Sequence, residues 1–209
     1  MARGRLITIE GIDGAGKSTL AAALVDALAA RRIEATLLRE PGGVRTAERI
    51  RELVHDPTAT IGARAEALLY AAARAQLVDE ALEPLLGAGR LVVLDRFVDS
   101  SLAYQGAGRG LGIDRVRDVN AFATGGLAPD RTLLLRLDPV VGRARSVQRG
   151  IPPDRLERQP DDFFERIAAA YDELARAEAE RFRVIDADRP PPAVLADALA
   201  ALEDLLGPV

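Results

Sequence analysis

The 209-residue chain has no cysteine, no tryptophan and a single histidine, His55. Without cysteine there can be no disulfide, no thiolate nucleophile and no Cys-based zinc site. One histidine excludes a multi-histidine metal centre. A Ser-His-Asp hydrolase would have to run through His55, which reads instead as a spacer at the end of a helix. No stretch of a dozen residues is free of charge, so no segment suits a bilayer span. The opening Met-Ala-Arg-Gly-Arg passes directly into Leu6 and Ile7 without the apolar stretch of a secretory signal, so the expected compartment is the cytoplasm. A net charge of −4 and a pI near 5.2 argue against a dedicated nucleic-acid binder, which usually carries a basic domain. The 48% hydrophobic and 29% charged residues are those of a globular chain, and the length suits one domain over 1–209. Lysine is scarce too: 27 of the 28 basic residues are arginine, and the one lysine is Lys17.

That lysine lies in the most informative segment. Leu6 to Glu10 is a short apolar strand, Gly11 to Ser18 reads G-x-x-x-x-G-K-S, and Thr19 to Ala30 is an Ala/Leu-rich helix. Strand, glycine loop and helix are the context in which this motif binds nucleotide phosphates. The glycines let backbone N–H groups wrap a phosphate chain, and the helix N-terminus adds partial positive charge. Lys17 is placed to reach the β- and γ-phosphates, and Ser18 to present its hydroxyl to Mg²⁺.

The rest of the chain alternates. Strands are expected at 35–38, 91–94, 132–137 and 182–185, and helices at 47–55, 63–88, 114–123, 140–149, 161–181 and 192–206. Ser100 to Gly112 reads as a glycine-rich loop, and Gly150 to Pro160, with three prolines, as a mobile one. This order predicts an α/β fold, a parallel sheet covered by helices on both faces.

A phosphate loop alone suits kinases, GTPases and motor ATPases. Guanine-specific switches carry a second lysine that this chain lacks, and motors usually need more chain. Arginines at strand ends are more telling, because open α/β sheets bind ligands there. Arg39 closes the second strand, Arg96 follows the third, and Arg51 is one helix away. Their planar donor forks suit a phosphate dianion.

Val93-Leu94-Asp95-Arg96-Phe97-Val98-Asp99-Ser100-Ser101-Leu102-Ala103-Tyr104-Gln105 strongly resembles the thymidylate kinases, and Arg39-Glu40-Pro41-Gly42-Gly43 and Tyr70-Ala71-Ala72-Ala73-Arg74 resemble their bacterial branch in order and spacing. The resemblance implies a P-loop nucleoside-monophosphate-kinase fold with a five-stranded parallel sheet, a lid at about 143–160 and a homodimer. The implied reaction transfers the γ-phosphoryl of ATP to dTMP, giving dTDP and ADP for deoxythymidine nucleotide synthesis.

Carried over position by position, the resemblance puts ATP on Gly11, Asp13, Gly14, Ala15, Gly16, Lys17, Ser18 and Thr19. The dTMP phosphate falls to Arg96 and Arg51, with Arg39 and Pro41 beside it. Tyr70 would stack on thymine and Arg74 would hydrogen-bond its edge. Ser101 and Gln105 would add polar contacts, and Tyr104 would press on the sugar where a ribose carries its 2′-OH. Asp13 would hold the 3′-OH, and Asp95 would join Ser18 around Mg²⁺. Some members carry an arginine in the phosphate loop where this chain has Gly14, so the charge on the transferred group would be met by Arg149, Arg155 or Arg158 of the lid. No general base is needed, because an acceptor phosphate with a second pKa of about 6 is already anionic. Two rivals stay open at this level: a deoxynucleoside kinase using Glu40 as its base, and a non-enzymatic nucleotide-binding module.

Overall fold

The computed structural model describes residues 3–148, 150 and 154–206. Five strands, β1 (Leu6–Gly11), β2 (Ala35–Arg39), β3 (Leu91–Asp95), β4 (Arg131–Arg136) and β5 (Phe182–Asp186), form one sheet in the order β2-β3-β1-β4-β5. Every pairing is parallel. The three inner strands are those with nearly continuous apolar runs, because helices cover both faces there; β1 and β3 are buried throughout, and the edge strands β2 and β5 are partly exposed.

Alternation along the inner strands divides the core. Ile7, Ile9 and Val93 pack with α1 (Lys17–Ala30), α8 (Asp161–Ala177) and α9 (Pro191–Ala200). Leu6, Val92 and Leu94 point the other way, against the segment Leu77 to Leu86. That segment lies on the α3 (Ala63–Leu77) side of the sheet, and α3 packs against α2 (Arg45–His55) and α6 (Ile113–Thr124).

Several expected boundaries shift. The helix expected over 63–88 contains a π-helical turn at Val78–Leu82 before α4 (Glu83–Gly87). Residues 100–112 are not a loop: α5 (Val98–Ser101) runs into a π-helical segment, Leu102–Gly108, whose small residues let it pack on α6 and α8. The helix expected over 140–149 is α7 (Pro139–Gln148), α8 stops at Ala177, and the closing helix breaks after Ala200 and resumes as α10 (Glu203–Leu206). The described part of the expected mobile loop, 154–159, is a set of turns with Leu156 buried in the core. Among the described residues, no helix is long and apolar enough to cross a membrane.

Candidate active site

The strand ends of β1, β2 and β3 open on a cavity of about 670 Å³ lined by the phosphate loop on one side and by α2, α3 and the π-helical segment on the other. The loop's shape depends on its glycines. Gly14 has φ +79°, and a Cβ there would strike the carbonyl of Gly142 on α7. Gly16, at φ +90°, precedes α1 with no side-chain cap, so the first N–H groups of that helix are left to a ligand. Lys17 donates from Nζ to the carbonyl of Ile12 at 2.8 Å, and Ser18 Oγ donates to Asp95 Oδ2 at 2.6 Å. Burial first, and then Arg96, pull the Lys17 ammonium down to about 8.

Arg96 joins the two sides. It sits in the left-handed region at φ +70°, just past β3. Its Nη1 donates to the carbonyl of Gly11 at 3.2 Å and to Ser100 Oγ at 3.1 Å, while Nη2 donates to Asp13 Oδ1 at 2.5 Å. Tyr104 donates from its hydroxyl to Asp13 Oδ2 at 2.9 Å, with its ring 5.0 Å from the guanidinium carbon. Burial opposes ionisation of Asp13, but Arg96 and Lys17 outweigh it and hold the carboxyl below its ordinary range. The turn carrying Arg96 is clamped by Glu10, a wholly buried carboxylate accepting from Phe97 N, Ser100 Oγ and the Tyr171 hydroxyl.

A second cationic corner lies at the end of β2. Arg39 and Arg51 both donate to the carbonyl of Pro41, at 3.1 and 3.0 Å. Arg39 is also paired with Glu48 at 3.0 Å, while burial and the neighbouring Arg39 lower the Arg51 pKa. Tyr70, Ser101 and Gln105 complete this end, and burial pushes the Tyr70 phenol up.

The chain matches the thymidylate kinase family model over residues 9–198. It is 48% identical over 204 residues to the thymidylate kinase of Deinococcus radiodurans, covering 98% of each chain. With that of Lactobacillus delbrueckii subsp. bulgaricus it shares 49% over 197 residues, covering 93% of each. The chain belongs to the thymidylate kinase family. Its fold agrees: the solved thymidylate kinase from Ehrlichia chaffeensis superposes with a TM-score of 0.79 at 26% identity, over 96% of this chain and 99% of that one. The architecture is thus the P-loop nucleoside-monophosphate-kinase fold, and the family's reaction is phosphorylation of dTMP to dTDP with ATP as donor.

Within that family site, most residues singled out from the sequence line one cavity: Asp13, Gly14, Gly16, Lys17, Ser18, Thr19, Arg39, Pro41, Arg51, Tyr70, Asp95, Arg96, Ser101, Tyr104 and Gln105. Among the described residues, Gly11, Ala15, Arg74, Arg155 and Arg158 are not in that wall. Arg74 is fully buried behind the wall, where Nε donates to Glu40 Oε2, Nη1 to Ser101 Oγ and Asn120 Oδ1, and Nη2 to the carbonyl of Phe97 while lying 2.7 Å from Glu40 Oε2. Arg155 is turned away from the phosphate loop, its Nη1 2.6 Å from Glu66 Oε2 and its Nε 3.1 Å from the carbonyl of Val54. Its pull is toward a buried carboxylate that also accepts from Arg109 and Gln105. Arg158 is not in the cavity wall, and Arg149 lies outside the described residues.

Sequence reasoning missed Arg145, which lines the cavity from α7 while donating to the carbonyl of Ala187 and to Asp188. Its spacing of four from Arg149 is the spacing of one helical face, a signal available in the sequence. It also missed the contribution of Asp154 and His55, which meet at 2.7 Å across the cavity rim. No local pattern connects positions so far apart.

Proposed function

We propose that ATP and dTMP meet across Arg96 in this cavity, the triphosphate on the loop from Gly11 to Thr19 and the acceptor between α2, α3 and the π-helical segment. The observation that carries this reading is the position of Arg96, bonded at once to Asp13 and Gly11 of the phosphate loop and to Ser100 on the acceptor side. An acceptor phosphate drawn to Arg96, with Arg51 and Arg39 at its other side, needs no base, only alignment and charge neutralisation. Lys17 takes the β- and γ-phosphates. Tyr70 supplies the face for the base, Gln105 and Ser101 its polar contacts, and Tyr104 with Asp13 the sugar contacts. Arg145, within the lid span at about 143–160, is a cation on the cavity wall beside the donor, and Arg149, which the resemblance assigns to the γ-phosphate, lies outside the described residues.

Ser18 Oγ and Asp95 Oδ2 are adjacent oxygen donors on the cavity wall, the hard ligand type that suits Mg²⁺. They would hold the ion on the donor phosphates, where it would neutralise charge. The rival use of Glu40 as a base for a nucleoside hydroxyl is not called for, because the acceptor in the thymidylate kinase family is a phosphate that is already anionic at neutral pH.

The whole chain is read as one domain acting in the cytoplasm as a homodimer. Supporting the dimer, Phe122 on α6 is 93% exposed and Leu68 on α3, which packs against α6, is 58% exposed, two large apolar side chains for a second copy to cover. The test of function is a coupled assay for ADP with ATP, Mg²⁺ and each nucleoside monophosphate in turn. Rapid ADP formation with dTMP and little with dCMP or AMP is expected; a preference for AMP would refute the assignment.

A further inference from the structure

Arg96 depends on a side chain that lies outside the cavity. β3 ends at Asp95, and Arg96 turns the chain toward α5 at φ +70°, a conformation that a residue other than glycine keeps only when its surroundings hold it there. The hold comes from β1. The Glu10 side chain is wholly buried, and its Oε1 accepts from the backbone N–H groups of Phe97 at 2.7 Å and of Ser100 at 3.3 Å. Its Oε2 accepts from Ser100 Oγ at 2.6 Å and from the Tyr171 hydroxyl of α8 at 2.8 Å. A serine hydroxyl has one proton, and here it goes to Glu10, so the lone pairs are left for Arg96, whose Nη1 donates to Ser100 Oγ at 3.1 Å. Glu10 thus fixes both the backbone and the hydroxyl that aim one arm of the guanidinium. Burial and the nearby Asp99 push the Glu10 carboxyl up, while Ser100, Arg96 and Phe97 pull it down. Ser100 lines the cavity and Glu10 does not.

We propose that Glu10 is a positioning residue for phosphoryl transfer, acting through Ser100 and the turn at Arg96 to point the Arg96 guanidinium at the acceptor phosphate. It rests on Arg96 meeting that phosphate, the proposed function of the site. Arg96 has other holds in Asp13 and the carbonyl of Gly11, but both belong to the phosphate loop and draw the guanidinium toward the donor. On the acceptor side stand Ser100 and the Tyr104 hydroxyl, 3.3 Å from Nη2, and of the two Ser100 is the one bonded to Glu10. A planar donor fork serves a phosphate only when its angle is right, so a loosened Ser100 would leave Arg96 present but misaimed. Because Glu10 acts through Arg96, its loss should be felt at the phosphate of dTMP and not at the nucleoside.

The experiment is Glu10→Gln, read by the dissociation constants of dTMP and of thymidine and by kcat and KM for dTMP and ATP. The amide keeps the size of the side chain, and its oxygen can retain the two backbone N–H groups. Its NH₂ then faces Ser100 and Tyr171, and the serine proton loses its acceptor. Affinity for dTMP should fall about 10-fold with that for thymidine unchanged, and kcat should fall about 10- to 100-fold with KM for ATP unaltered. A merely structural role would lower the amount of active enzyme and leave the ratio of the two affinities as it was. An unchanged dTMP-to-thymidine ratio therefore overturns the proposal. If the glutamine variant does not fold, Ser100→Ala takes its place, since it cuts the link to Arg96 and leaves Glu10 its backbone bonds. The same narrowing is expected there, and an unchanged ratio again overturns the proposal. Arg96→Ala separates the two levels. If it leaves the ratio unchanged, Arg96 does not meet the phosphate, and the reading of the site fails together with the proposal. If it narrows the ratio and Glu10→Gln does not, the role of Glu10 alone fails.

Discussion

Arg155 Nη1 lies 2.6 Å from Oε2 of Glu66, a carboxylate with no exposed surface. In this structure Arg155 ties the segment 154–159 to α3. Glu66 keeps Arg109 and Gln105 as further partners, and Gln105 lines the acceptor end. The His55–Asp154 pair fastens the same stretch of lid to the end of α2. Asp154 and Arg155 therefore fasten this segment to α2 and α3.

Replacing Arg155 by alanine should loosen that anchor without unfolding the protein, because Arg109 and Gln105 continue to satisfy Glu66. A stability loss of about 1–3 kcal/mol is expected, with faster hydrogen exchange concentrated in residues 154–159. Exchange and urea melts measure both. Unchanged exchange there would show that the contact does not restrain the lid.

Lys17→Ala should lower kcat by about 10² or more with the fold intact, since contacts to the transferred phosphates strengthen as charge develops. The same residue predicts a pH limb. An ammonium held down to about 8 is charged below that pH and loses its charge as pH rises through it. Because kcat/KM for ATP reports the free enzyme, it should fall above pH about 8, and the limb should disappear in Lys17→Arg. A flat profile from pH 7 to 9 in the unaltered protein would contradict this.

Tyr104 packs beside Asp13 and under Arg96, and the proposed function sets the sugar against its ring. UMP should accordingly be a much poorer substrate than dUMP. In Tyr104→Ala the dUMP-to-UMP ratio of kcat/KM should shrink, while both values drop through loss of the Asp13 contact. A ratio equal to that of the unaltered protein would move sugar selection elsewhere.

Phe122, 93% exposed on α6, should be covered in the proposed dimer. Phe122→Asp places a charge on that apolar face and should shift the protein toward monomer in sedimentation equilibrium, with little change in thermal unfolding of the monomer itself. A dimer of undiminished affinity would place the interface on another surface.

The sequence by itself determined whatever depends on neighbours along the chain. Alternating apolar strands and helices specify the parallel α/β sheet, since buried central strands read as continuous Leu, Ile and Val. Gly11 to Ser18 specifies its own loop, because positive φ and a bare helix N-terminus are local requirements met by local residues. Arg96 and Asp95 were legible because a strand end in such a sheet is a ligand position wherever it falls. Tertiary structure alone decided which arginines face the cavity. Arg51 and Arg96 line it, whereas Arg74 and Arg155 are drawn behind its wall by Glu40, Asn120 and Glu66 from distant segments. The same holds for Arg145. A side chain's chemistry is written at its own position, but its availability depends on the long-range contacts that folding makes, and those have no local pattern.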